Sequence, residues 1–190
     1  MIENSPSKML SDPEQLGKYL IQGVLGEGGM GVVYKGYDPQ LAREVAIKTI
    51  RRSLLAGKAG KELRDRFNRE AKAEGSLVHP NIVGVYEYQT NEEGTPFFVM
   101  EYVEGKCLKD YLSRGMHFNL DMSLHIISQI LSALAYSHKR GVVHRDIKPG
   151  NIIYNPINCA VKVTDFGIAK IVDDSKTKTG SVMGSPLYMS

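Results

Sequence analysis

Only two cysteines occur, Cys107 and Cys159, far apart and without the paired spacing of a zinc site. A disulfide framework is excluded, and free reduced thiols are expected. No apolar run approaches the roughly 20 residues an α-helix needs to cross a bilayer. The first residues include Glu3 and Asp12, where a secretory signal would place basic and then apolar side chains. The expectation is a cytoplasmic chain with no membrane segment. Charge of one sign is also scarce. A formal net charge of +3 does not point to nucleic acid, and short basic runs such as Arg51-Arg52 read as solvated faces. What remains is the composition of an ordinary globular protein, with 190 residues to build one domain or two small lobes.

Against that plain background one stretch stands out, His144-Arg145-Asp146-Ile147-Lys148-Pro149-Gly150-Asn151, followed a short hairpin later by Asp165-Phe166-Gly167. Asp146, Asn151 and Asp165 offer carboxylate and amide oxygens but no thiolate, so the implied metal is a hard cation of the magnesium type. Lys148 adds a fixed positive charge two residues past Asp146. Oxygen ligands, a further carboxylate and a lysine are the equipment for moving a phosphoryl group, where catalysis is mostly positioning and charge neutralisation. These residues resemble the catalytic and metal-binding loops of eukaryotic-type protein kinases.

Upstream, Gly26-Glu27-Gly28-Gly29-Met30-Gly31 joins two β-forming runs, Tyr19 to Val24 and Gly31 to Tyr37. Glycine spacing of this kind is shared with dinucleotide-binding folds, but those need a helix straight after the glycines. Val32-Val33-Tyr34 is strand-forming instead, so the loop reads as the tip of a hairpin. Glycine there lets backbone amides approach phosphate oxygens with no Cβ in the way. The next strand, Glu44 to Ile50, resembles the family's Val-Ala-Ile-Lys strand through Val45-Ala46-Ile47-Lys48.

The resemblance runs from Tyr19 to Ser190 and is closest to the bacterial members of the serine/threonine kinases. It implies an α+β, two-lobed fold: a lead-in over residues 1–17, a small antiparallel five-stranded lobe with one helix over 18–103, and part of a mainly helical lobe over 104–190. It implies transfer of the ATP γ-phosphate to serine or threonine hydroxyls of protein substrates, with a transient dimer for autophosphorylation. Asp146 would accept the hydroxyl proton, with Lys148 beside it. Asn151 and Asp165 would hold Mg2+, and Lys48, paired with Glu70, would hold the α/β-phosphates. Gly26, Gly28 and Gly31 would cover the phosphates. Adenine would lie between Val33 and Ala46 on one side and Ile153 on the other, with backbone contacts at Glu101 and Val103. Glu74 stands where the family usually places an apolar residue.

The helical lobe is expected to start with Leu108 to Leu112 and continue with a long helix from Leu120 to Arg140, buried through Leu124, Ile127, Leu131, Leu134 and His138. From Ile168 on, the hydroxyls Ser175, Thr177, Thr179, Ser181 and Ser185 read as an activation segment open to phosphorylation. The sequence stops just short of the family's next Pro-Glu, which suggests a helical lobe only partly included. Leu124, Ile127 and Leu131 would then lose cover, and the 190-residue chain alone is expected to bind Mg-ATP weakly with transfer near background. Two rivals remain: a nucleotide-binding regulatory module without transfer, and a dinucleotide oxidoreductase.

Overall fold

Residues 13–29 and 31–166 are described by the structure, a computed structural model. They divide into two units, one containing residues up to Arg64 together with Val85–Tyr102, the other containing Asp65–Gly84 and the residues from Val103 onward.

The β-branched and aromatic runs of the first unit form one antiparallel sheet of six strands: β1 (Gln15–Leu16), β2 (Tyr19–Glu27), β3 (Gly31–Asp38), β4 (Arg43–Ile50), β5 (Val85–Thr90) and β6 (Pro96–Glu101). Their order is β1-β2-β3-β4-β6-β5. Five strands were expected, and the sixth, β1, falls inside the stretch read as a lead-in. Its two residues form a strand because Leu16, only 4% exposed, joins the core made by Tyr19, Tyr34, Val45, Ile47, Phe97 and Val99. Side chains alternate across a strand, so burying Val45 and Ile47 turns Ala46 and Lys48 to the opposite face. The register sets Val33 opposite Lys48 and Lys35 opposite Ala46. Val33, Ala46 and Lys48 therefore share one face of the sheet, away from that core.

β2 and β3 meet in the expected hairpin, closed by a hydrogen bond from Gly28 N to Gly31 O at 2.9 Å. The glycines of its tip differ in what requires them. A Cβ at Gly26 would meet nothing within 4 Å, and one at Gly28 only the Gly31 carbonyl at 4.0 Å, whereas one at Gly31 would sit 2.0 Å from Thr49 O on the neighbouring strand. Gly31→Ala is therefore expected to cost about 1–3 kcal/mol through overpacking, while Gly28→Ala leaves the thermal midpoint close to that of the parent. Equal midpoints for the two variants would contradict this.

The charged, weakly apolar run from Glu62 to Leu77 is expected to be helical, and the helix α1 (Gly57–Gly75) starts five residues earlier than that. Leu77 and Ile82, which follow it, pack with Ala133, Val163 and Phe166. That packing accounts for the grouping of Asp65–Gly84 with the second unit, a division the expected boundary after residue 103 did not foresee. α2 (Leu108–Ser113) and α3 (Leu120–Lys139) follow, and the Asn119 side chain caps α3 by accepting from Met122 N at 2.8 Å. A three-stranded sheet completes the unit, β7 (Lys106–Cys107), β8 (Ile152–Asn155) and β9 (Ala160–Val163), in that order.

The stripe of α3 expected to be buried is only partly so, and the three residues expected to lose cover are the exposed ones. Ile126, Ala133 and Ser137 are the buried positions, Met122, Ile130 and Leu134 pack beside the core, and Leu124, Ile127 and Leu131 are 57%, 50% and 58% exposed. His138 is exposed as well. Apolar side chains recur at three and four along two stripes of this helix, so periodicity alone fits either. Both cysteines are free. Among the described residues no helix is long and apolar enough to cross a membrane. Residues 1–12, Met30, Gly167 and the expected activation segment from Ile168 to Ser190 lie outside the described residues.

Candidate functional site

Gly141, with a φ of 75°, closes α3 in the left-handed conformation that suits glycine, and the loop beyond it is built around a buried histidine. His144 is 1% exposed. Its Nε2 hydrogen donates to Thr164 O at 2.9 Å, and Asp146 N donates to its Nδ1 at 3.3 Å. The two bonds fix the neutral tautomer and tie this loop to the segment after β9. Phe166 packs against the same ring, with centroids 4.6 Å apart. Burial pushes the imidazole below its ordinary value, outweighing the Thr164 bond and the nearby Asp165 and Asp146 charges, which act the other way.

As pH falls through the ordinary histidine value of 6.5, the unfolded chain takes up a proton that the folded chain still refuses, so stability declines from there until the folded pKa is passed. The thermal midpoint is expected to drop between pH 7 and pH 5, with a shallower drop in His144→Gln. An unchanged slope in that variant would contradict the assignment.

Asp146 is the next residue but one. Its Oδ2 receives Lys148 Nζ at 2.5 Å and Asn151 Nδ2 at 3.0 Å, and the same Nδ2 also donates to Asp146 O at 2.8 Å. Asn151 is placed by the single 3-10 turn Pro149–Asn151 and by its own N–H donating to Lys148 O at 2.9 Å. With its amide nitrogen committed twice, its Oδ1 is the atom left to serve as a ligand. Thr164 N donates to Asn151 O at 3.0 Å, so one residue, Thr164, binds both His144 and Asn151 immediately before Asp165. Arg145 and Asp165 both adopt positive φ, 67° and 62°. Such backbone conformations persist where the surroundings over-determine them, and here both neighbours of each residue are hydrogen-bonded or packed.

The hairpin of β8 and β9 that carries Asp165 pairs Ile152 with Val163 and Asn155 with Ala160. Carboxylate oxygens of Asp165, Glu70 and Glu74 lie within 4.8 Å of one another. Glu70 and Glu74 are both buried, Glu74 at 3% exposed. The sequence marked Glu74 as a departure from the family but did not place it in this group. Phe166 finds its apolar partners instead in Leu77, Ile82, Ala133 and Val163.

Of the residues singled out from sequence, Asp146, Lys148 and Asn151 meet directly, and Asp165 and Glu70 share one carboxylate cluster. In the other unit, Val33, Ala46 and Lys48 share a sheet face, Gly26, Gly28 and Gly31 form the hairpin tip, and Glu101 ends β6 opposite Val45. Lys48 Nζ lies over the Phe98 ring, 5.4 Å from its centroid. Ile153 lies in β8 opposite Cys107, and Val103 opens the second unit's later part. The donors at Asn151 and Asp165 are all hard oxygens, and the one nearby imidazole has both nitrogens engaged. That set fits a divalent cation of the magnesium class.

Residues 19–190 match the family model described as protein kinase domain. Serine/threonine-protein kinase pkn3 of Myxococcus xanthus is 42% identical over 181 residues, 91% of this chain and 32% of that protein. Serine/threonine-protein kinase PrkC of Bacillus subtilis (strain 168) is 44% identical over 175 residues, 92% of this chain and 26% of that protein. The chain thus spans a third or less of these two relatives. Among solved structures, the PknI kinase domain of Mycobacterium tuberculosis superposes with a TM-score of 0.66 at 29% identity, covering 82% of this chain and 62% of that one. Rad53 1-466 in complex with AMP-PNP superposes with a TM-score of 0.68 at 30% identity, covering 80% and 39%.

Proposed function

The chain belongs to the protein kinase domain family, and on that premise we propose that it transfers the γ-phosphoryl group of ATP to serine and threonine hydroxyls of protein substrates. The observation that carries this reading is the Asp146 carboxylate, one oxygen of which is held by both Lys148 and Asn151. Its other oxygen is then the one to receive a proton. As the acceptor oxygen forms its bond to the γ-phosphorus and the bond to the ADP oxygen breaks, the hydroxyl proton passes to Asp146. Lys148 stabilises the charge developing nearby.

Asn151 and Asp165 would hold Mg2+, which when bound neutralises phosphate charge. Lys48 would contact the α- and β-phosphates, with Glu70 fixing its ammonium. Gly26 and Gly28, where a Cβ would meet nothing closer than 4.0 Å, suit a hairpin lying over phosphates, and Gly31 keeps that hairpin close to β4. Val33, Ala46 and Ile153 would enclose adenine, and Glu101 and Val103 would supply backbone contacts. Lys148 favours serine and threonine over tyrosine acceptors. ATP as donor agrees with a cytoplasmic site of action. Phosphorylation of Thr177 or Thr179 by a second copy would need only transient pairing.

The test of the donor half is a binding competition on the 190-residue chain. ATP is expected to bind more tightly with MgCl2 present than with a chelator, and NAD is expected not to displace it. Displacement by NAD, or binding indifferent to Mg2+, would overturn the reading. The strand β3 directly after the glycines already disfavours the dinucleotide alternative.

A further inference from the structure

The strand that leads to Asp165 is held on its outer edge by two side-chain amides that belong to no motif considered above. β9 pairs with β8 on one edge. On the other, backbone pairing is short: Val163 N donates to Asn81 O at 2.9 Å and Val83 N donates to Val163 O at 3.0 Å, around a single parallel bridge between Ile82 and Val163. Two residues earlier the backbone partner is gone and side chains replace it. Val161 N donates to Gln129 Oε1 at 3.0 Å, Asn81 Nδ2 donates to Val161 O at 2.9 Å, and Gln129 Nε2 donates to Cys159 O at 2.9 Å. Asn81 Nδ2 also donates to Gln129 Oε1 at 2.8 Å, locking the two amides together.

Every polar atom of the Gln129 amide is used, and its two acceptor bonds and one donor bond admit one orientation. Asn81 is itself fixed, since its N–H donates to His79 Nδ1 at 3.1 Å. The pair acts as one further rung of sheet, made from the middle of α3 and from the turn that follows α1. Because α1 bears Glu70 and Glu74 and β9 leads into Asp165, the same two amides fix the axial position of the strand that presents the metal-holding carboxylate. A strand free to shift would carry Asp165 away from Asn151, whose carbonyl is tied to Thr164.

We propose that Asn81 and Gln129 are positioning residues for the divalent cation, acting through β9 on Asp165. Groups that orient metal ligands without touching the metal typically change its affinity about 10–100-fold when removed. The proposal rests on the reading that Asp165 is a metal ligand, so the test carries a control for that reading.

The test titrates ATP into the 190-residue chain by calorimetry at a series of MgCl2 concentrations, and once in chelator. In Gln129→Leu and Asn81→Ala the Mg2+ concentration giving half the gain in ATP affinity should rise about 10-fold or more, while affinity in chelator moves less than about two-fold. Gln129→Glu keeps the acceptor for Val161 N and Asn81 and loses only the donor to Cys159 O, so its shift should be smaller, and it stands in if the leucine variant does not fold. A purely structural role would lower both affinities together, and that outcome, or an unchanged Mg2+ requirement, overturns the proposal. Asp165→Asn separates the two levels. If it leaves the Mg2+ requirement unchanged, the metal assignment fails; if it raises the requirement and the amide variants do not, only the positioning role fails.

Discussion

Asp165→Asn is expected to lower Mg2+-dependent phosphotransfer by about a thousand-fold or more while leaving the thermal midpoint in place. The loss follows from removing the charged oxygen ligand in a reaction whose barrier is lowered chiefly by charge neutralisation, where deleting even one well-placed donor costs roughly 10²–10³ in rate. The retained stability follows from crowding. Asp165 shares a space of 4.8 Å with carboxylate oxygens of Glu70 and Glu74, and like charges so close favour removal of one. Transfer is to be measured in the longest product of the reading frame, with the Mg2+ requirement for ATP binding as the companion readout. A variant that transfers phosphate normally would remove Asp165 from the metal site.

Asp146→Asn should separate binding from chemistry. Its carboxylate is engaged by Lys148 and Asn151 within the loop, and its assigned task begins only when an acceptor hydroxyl arrives. ATP affinity should therefore change less than about two-fold, while the turnover rate falls about 10²–10⁴-fold, the usual contribution of a positioned general base. Loss of ATP binding in parallel with turnover would show that Asp146 serves the nucleotide or the fold rather than the acceptor.

The meeting of Asp146, Lys148 and Asn151 was legible in the sequence because their relation is local. Asp146 and Asn151 are five residues apart in one loop, and the 3-10 turn between them is encoded by Pro149 and Gly150. The β2–β3 hairpin was legible for a similar reason, since strand-forming residues follow the glycines at once. The reason for Gly31 was not, because the obstacle is the carbonyl of Thr49 on a neighbouring strand. The stripe of α3 through Ile126, Ile130 and Ala133 was missed because the helix offers two apolar stripes, and which is covered depends on partners far along the chain. β1 carries too few residues for any period to show. Glu74 was visible as an anomaly, but its place beside Glu70 and Asp165 depends on how α1 meets the segment after β9. The Asn81–Gln129 pair, 48 residues apart, leaves no spacing signal at all.

The proposed site passes the ATP γ-phosphate to protein hydroxyls. The direct measurement is incubation of the longest product of the reading frame with γ-labelled ATP, MgCl2 and a generic basic protein, followed by identification of the labelled amino acids. Label is expected on serine and threonine, dependent on Mg2+ and lost in Asp165→Asn. Mg2+-dependent ATP binding with no labelled acceptor, or label confined to tyrosine, would contradict it.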